Sequence, residues 1–245
     1  MSTTNDPGGP LADHRSTDLG ERPVYPVGLV VGGRPCLVVG GGRVAARKVE
    51  GLLASGAAVT VVAPEVHEAV AALAASGAIA AIDESPLRVE LRTYRRGEVA
   101  GYMLAVAATG RTEVDDAVFR DATEAGVWVN VADDVSRCSF LLPAVARRGS
   151  VSVAVSTGGA SPALATWLRD RIVETIEPAA GELATLLAEV RRRLRERGVP
   201  TESVPWRTLL DGSLPALVRQ GRVDEARHAL DVFLAPYLQG PDPSS

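Results

Sequence analysis

CLVVGGGRVAARKVEGLLASGAAVTVVAPE, residues 36–65, decides the fold. Cys36 to Gly40 is apolar and runs into glycines, as a short buried strand does. Val44 to Leu53 has helical spacing: Val44, Val49, Leu52 and Leu53 are apolar, Arg47, Lys48 and Glu50 lie between them, and Gly56 stops the run. Ala58 to Ala63 is a second apolar strand, closed by Pro64. Strand, glycine turn, helix and strand within about thirty residues predict a parallel strand pair joined by a right-handed crossover.

The turn reads G-x-G-x-x-A from Gly40 to Ala45. Gly40 permits the tight turn, Gly42 lets backbone approach a pyrophosphate, and Ala45 lets helix and strand pack closely. The phosphates of a dinucleotide then lie on the helix N-terminus, where free N–H groups and the dipole favour anions. The flanking strand and helix make this more than a lone motif; a turn that binds nothing is the alternative. Glu65, about twenty residues after the turn, is the candidate acid for the adenosine ribose. A solvated acid at the start of the next helix competes with that reading. No arginine follows directly to attract a 2′-phosphate, so NAD is expected over NADP.

Outward from this unit the alternation continues: helix Val66–Ser76, strands Val89–Tyr94 and Tyr102–Thr109, helix Glu113–Ala125 ended by Gly126, and strand Val127–Ala132. The expected class is α/β, a Rossmann-type doubly wound parallel sheet. Ser139–Ala146 and Ser150–Ser156 then read as antiparallel strands about a turn at Arg148-Gly149. Beyond Ser161 the chain is helical, with Pro162–Ile176, Ala179–Arg197, shorter pieces near Trp206, and Val223–Leu238. The divisions drawn are a tail over 1–22, a Rossmann domain over 23–139, a small β region over 140–160, a helical domain over 161–239 and a tail over 240–245.

Ligands of open parallel sheets bind outside the carboxyl ends of the strands. Asp133 and Asp134, with Asn130 just before them, fall at that edge. An acid there can take a proton while a hydride leaves, although a pair of aspartates also suits a turn or a cap. Ser156-Thr157-Gly158-Gly159 precedes Ser161, a good N-cap, and Pro162 at the first helical position. That is a second anion cradle or a plain cap. From Arg137 to Arg171 five arginines (137, 147, 148, 169, 171) stand against one acid, Asp170. A polycarboxylate suits such a patch; solvated faces are the bland account of each arginine alone.

The rest of the composition narrows the classes. At 46% hydrophobic the chain can build a core, and a net charge of -4 argues against non-specific nucleic-acid binding. No run is long and apolar enough to span a membrane, and residues 1–22 lack the features of a signal or transit peptide. Cys36 and Cys138 read as separate reduced thiols of a cytoplasmic protein. His14, His67 and His228 are scattered, so no resident metal site is expected.

Taken in order, Tyr25-Pro26-Val27, CLVVGGGRVAARKVEGLL (36–53), VTVVAPE (59–65), AVAATG (105–110), VNVADD (129–134), SFLLPA (139–144) and AVSTGGASPALA (154–165) resemble the precorrin-2 dehydrogenase/sirohydrochlorin ferrochelatase family, the N-terminal module of sirohaem synthases. The resemblance implies NAD-dependent oxidation of precorrin-2 to sirohydrochlorin. In several members ferrous iron is then inserted, as a substrate and not as a bound cofactor. It implies a tetrapyrrole polycarboxylate substrate and a homodimer, with 140–160 as the dimerisation region. It places the catalytic aspartate on Asp133 and the cofactor contacts on Gly40, Gly42, Arg43, Val44, Pro64, Glu65 and Thr109. Substrate contacts fall on Asn130, Arg137, Ser156, Thr157, Gly158 and Gly159. Two departures stand out: Arg43 replaces an often acidic residue, and Thr157 a serine of some members. The chain ends before any methyltransferase domain, so the three-activity version is not expected. A dehydrogenase without chelatase activity is the nearest alternative. A non-catalytic NAD sensor, using the arginine-rich segment Arg191–Arg197 on a partner, is the alternative from another class.

Overall fold

The computed structural model describes residues 24–75 and 86–238. The tails expected at 1–22 and 240–245, and Ser76 at an expected helix end, lie outside them. The described residues divide into two compact units. The first runs to Leu142 and takes in Gly158–Ala160, and the second holds Pro143–Thr157 and the chain from Ser161.

The first unit is a five-stranded parallel sheet in the order β3-β2-β1-β4-β5. Its strands are β1 (Pro35–Val39), β2 (Ala58–Ala63), β3 (Leu87–Leu91), β4 (Leu104–Ala107) and β5 (Trp128–Val131). Helices α1 (Arg43–Leu53), α2 (Glu68–Ala75) and α3 (Thr112–Ala125) flank it. This is the doubly wound Rossmann arrangement that the alternation predicts. Central strands covered on both faces must be apolar throughout. In β1, Cys36 and Val38 enter one buried cluster with Ala45, Val49 and Val61. Leu37 and Val39 enter the other, with Val118, Ala122 and Val129. The edge strand β3, LRVEL, buries only Leu87 fully. α3 ends where Gly126 turns left-handed, at φ 67°.

The strand expected at Val89–Tyr94 lies at Leu87–Leu91, and that expected at Tyr102–Thr109 shortens to Leu104–Ala107. Two further boundaries move for visible local reasons. The helix expected from Val66 starts at Glu68, because the His67 N–H donates to the Gly41 carbonyl at 2.7 Å. His67 Nδ1 accepts from the Ala69 N–H at 3.1 Å and caps the helix from there. The strand expected from Ser139 begins only at Ala144. Residues 138–140 instead fold back along the outer edge of β5. The Ser139 N–H donates to the Val129 carbonyl at 2.8 Å, and Ser139 Oγ accepts from the Val129 N–H at 2.7 Å.

In the second unit β6 (Ala144–Arg148) and β7 (Val151–Val155) pair antiparallel. Arg148 is the last residue of β6, so the turn is Gly149-Ser150 and not Arg148-Gly149. Five helices follow: α4 (Pro162–Thr175), α5 (Ala180–Glu196), α6 (Trp206–Leu210), α7 (Leu214–Arg219) and α8 (Val223–Leu238). The short α7 is not separately legible in the sequence. Leu194, Leu214 and Leu234 are fully buried in the aliphatic core of α5–α8. Gly149 and Gly181 face each other so closely that a Cβ on either would lie within 3 Å of the other's backbone. Among the described residues no helix is long and apolar enough to cross a membrane.

Candidate active site

Strand order reverses between β1 and β4, and the crevice outside their carboxyl ends is where this architecture binds ligands. The glycine turn after β1 shows three different constraints. Gly40 has φ 123°, and a Cβ there would come within 2.3 Å of the Ala108 carbonyl oxygen. A Cβ on Gly41 would lie 2.0 Å from the Glu65 carbonyl oxygen. Gly42 has an ordinary φ of -79°, and its Cβ would meet nothing within 4 Å. The protein itself does not require a glycine at 42, whereas a ligand approaching the backbone there does. Gly42 is the N-cap of α1; it supplies no side-chain hydrogen bond, and the first turn carries no acid. An open helix start of this kind fits a pyrophosphate.

The remaining cofactor candidates surround this turn. Arg43 is exposed and Val44 half-buried in the first turn of α1. Pro64 and Glu65 are exposed directly after β2, with the Glu65 carbonyl against Gly41. Thr109 follows β4 beside Gly40, and its Oγ1 donates to Asp115 Oδ1 at 2.8 Å. Two residues here escape sequence reasoning. Gly41 falls on a variable position of the fingerprint, and Asp115, 6% exposed, looks in sequence like any acid in a first helical turn.

Asp133 and Asp134 take different roles. Asp134 forms the turn: Oδ1 accepts from the Ser136 N–H at 3.0 Å and from Ser136 Oγ at 2.5 Å, and Oδ2 from Arg137 Nε at 2.7 Å. Burial opposes ionisation of Asp134, but Ser136 and Arg137 outweigh it and hold the carboxyl below the usual range. Asp133 is exposed, with φ 63°, and is the one non-glycine residue at positive φ among the described residues. Among those residues no hydrogen bond holds its carboxylate. Lys48, half-buried on α1, lies within electrostatic reach of Asp133 and Cys138. Burial, with Arg47 beside it, lowers the pKa of its ammonium against those two groups. Lys48 sits in the helical pattern as an ordinary polar position, so the sequence does not single it out.

The substrate candidates are less uniform. Asn130 is 7% exposed, and its Nδ2 donates to the Phe140 carbonyl at 3.0 Å and to Cys138 Sγ at 3.4 Å, tying down the returning chain. Burial pushes the Cys138 thiol up, so it is neutral. Arg137 is held between Asp134 and Asp116. Gly159 belongs with this turn, since its Cβ would stand 3.1 Å from both Val135 methyl groups. Gly158, at φ 64°, precedes it. Ser156 and Thr157 fall in the second unit. There Thr157 Oγ1 accepts from the Ser161 N–H at 3.0 Å, and Ser161 caps α4 by accepting from the Leu164 N–H at 3.2 Å. Of the other arginines, Arg169 pairs with Asp170, and Arg171 lies 5.1 Å above the Trp167 ring. No group of three or more His, Cys, Asp and Glu among the described residues is placed to hold a metal ion.

An NAD(P)-binding family model matches residues 27–144, and the model of the central part of sirohaem biosynthesis proteins follows it at 148–175. The chain is similar to sirohaem biosynthesis proteins across both matches. Its first unit is thus a nicotinamide-dinucleotide domain. It is 39% identical over 211 residues to a siroheme synthase of Nitrosococcus oceani, covering 85% of this chain and 43% of that one. A siroheme synthase of Methylobacillus flagellatus is 38% identical over 213 residues, covering 86% and 44%. The chain therefore spans less than half the length of these relatives. Among solved structures it is similar to SirC, a precorrin-2 dehydrogenase, with a TM-score of 0.63 and 28% identity over 86% of this chain and 98% of that one.

Proposed function

We propose that this chain oxidises precorrin-2 to sirohydrochlorin with NAD, and then inserts ferrous iron, as a second substrate, to give sirohaem. The observation that carries the reading is Asp133, an exposed carboxylate in a left-handed turn, on the same carboxyl edge of the sheet as an uncapped glycine turn. Bound nicotinamide supplies a hydride acceptor. The backbone at Gly42 and the first turn of α1 hold the pyrophosphate, with Arg43 and Val44 around it. The Glu65 carboxylate takes ribose hydroxyls and repels a 2′-phosphate, which selects NAD. Thr109 and Pro64 line the same crevice.

Removing a hydride and a proton desaturates the macrocycle, and Asp133 accepts the proton. Inserting ferrous iron displaces the pyrrole N–H protons, and the same carboxylate accepts them one at a time, passing the first to solvent before it takes the next. Gly158 and Gly159, the latter packed beside the turn that carries Asp133, bound the substrate, whose acetate and propionate groups call for cationic partners. The molecule works as a homodimer, with 140–160, the region of β6 and β7, as its dimerisation region. Its two free thiols suit the reducing cytoplasm. A dehydrogenase without chelatase activity is the second reading, favoured by the similarity to SirC over nearly all of that chain.

The test is an anaerobic assay with enzymatically made precorrin-2 and NAD, followed by ferrous iron. NADH formation and a sirohydrochlorin spectrum establish the oxidation. An iron-dependent shift faster than in a protein-free control establishes chelation, and its absence leaves the dehydrogenase alone. No NADH sinks the main reading. Asp133→Ala is expected to lower oxidation on the order of 10²- to 10⁴-fold; full activity in that variant removes Asp133 from the mechanism.

A further inference from the structure

Asp133 needs something to hold it in a conformation that side chains rarely adopt. A left-handed backbone crowds the Cβ against the following carbonyl oxygen, and Asp tolerates this better than most residues. Such backbone persists only where its surroundings over-determine it. Those surroundings are specific here. Directly after Asp133, Asp134 accepts three hydrogen bonds from Ser136 and Arg137. The Arg137 guanidinium reaches on to Asp116 Oδ1 in the second turn of α3. That turn of α3 follows β4, the strand beside β5, so the pair ties α3 to the loop after β5 at the carboxyl edge of the sheet. Next to it Asp115 accepts from both the N–H and Oγ1 of Thr109. Two successive acids of α3 therefore fasten two loops, one through Thr109 and one through Arg137.

We infer that Asp116, Arg137 and Asp134 form a brace that positions Asp133, and that Arg137 is a positioning residue and not a ligand of the substrate carboxylates. The inference deepens the proposed function and rests on its assignment of Asp133 as the base. Nε of Arg137 is committed to Asp134 and Nη1 to Asp116, so the guanidinium is held in place by two carboxylates. It fixes an angle between the β5 turn and α3 that a single lysine contact would not. A base displaced by about 1 Å loses on the order of 10²-fold in rate, so the brace acts on kcat.

Asp116 discriminates, because it touches Arg137 and is itself no candidate for substrate contact. If Arg137 bound substrate, Asp116→Ala would free it, and KM would fall or stay level with kcat unchanged. The brace predicts a loss of kcat on the order of 10- to 100-fold, little change in KM, and recovery of most of it in Asp116→Glu. NAD binding, read by calorimetric titration, stays within about twofold in both variants. Asp116→Asn, which keeps an acceptor, serves if Asp116→Ala melts below the assay temperature. The backbone angle of Asp133 is read separately, by NMR on aspartate-labelled protein. It is left-handed in the parent and averaged in Asp116→Ala. Unchanged kcat together with a left-handed Asp133 in Asp116→Ala overturns the brace. If Asp133→Ala keeps full turnover, the base assignment fails, and the angle alone decides the brace.

Discussion

Gly41→Ala and Gly42→Ala separate what the glycine turn does for the fold from what it does for a ligand. At 41 a Cβ strikes the backbone after β2, so Ala costs about 1–3 kcal/mol of overpacking. In a domain of this size each kcal/mol lowers Tm by roughly 2–4 °C. At 42 a Cβ meets only open space, so Tm is expected to hold while NAD affinity drops about tenfold or more, on the order of 1.4 kcal/mol. Thermal melts and calorimetric titration check the pair; a Gly42→Ala protein with parent NAD affinity contradicts the assigned role. The sequence marks Gly40 and Gly42 through the fingerprint spacing. It is silent on Gly41, because the Glu65 carbonyl that excludes a side chain arrives only when β2 pairs with β1. Asp133 and Asp134 are alike in sequence for a similar reason: only folding shows that Ser136 and Arg137 converge on the second of them. Arg137 reads as a substrate ligand because its partner Asp116 lies 21 positions away.

Among the elements, the segment between β3 and β4 shows how buried charge is kept ionised. Asp121 of α3 is 5% exposed, yet it accepts from Tyr94 Oη at 2.8 Å and the Gly97 N–H at 2.6 Å, with Arg96 nearby. Burial opposes its ionisation, but these partners prevail and hold the carboxyl below its ordinary range. Burial and the Asp121 carboxylate push the Tyr94 phenol up, so it stays a donor. Glu98, likewise disfavoured by burial, is held low by Arg92 and the Arg95 N–H. Folded carboxyls titrating below their unfolded values stabilise the protein above the unfolded pKa, about 4, and lose that stabilisation as pH falls through the folded values. Urea melts are therefore expected to show stability falling below about pH 4, with a shallower fall in Asp121→Asn; an unchanged slope removes Asp121 from the effect. At the start of α4, Ser161→Ala removes the cap and is expected to cost about 1 kcal/mol. Ser161 and Pro162 are visible in sequence because caps are local. The late start of α2 is not, because the Gly41 carbonyl that holds His67 belongs to another turn.

Over the whole molecule, two separate cores imply two melting events. The sheet unit carries the nicotinamide-dinucleotide turn, and the aliphatic core of α5–α8 shares no buried residue with it. Leu194 is 0% exposed, and Leu194→Ala is expected to cost about 2–5 kcal/mol. In scanning calorimetry NAD raises the transition of the sheet unit, whereas Leu194→Ala lowers the other and leaves NAD affinity unchanged. A single transition that moves under both treatments contradicts separate units. The sheet is legible from residues 36–65 because its strands are continuous apolar runs punctuated by glycine. The second unit is legible only as helices, since their packing depends on leucines whose partners lie dozens of residues away.

The chain returning along β5 has a consequence for solubility. An open sheet edge is a template on which a foreign strand can dock and nucleate aggregation. Here the Val129 and Val131 amides are taken by Ser139 Oγ and Cys138 Sγ, so that edge offers no ladder to a stranger. Replacing Ser139 and Cys138 together by alanine would leave both amides without their acceptors while the Ser139 N–H still holds the Val129 carbonyl, and the expected sign is turbidity on gentle warming, well before the sheet itself melts.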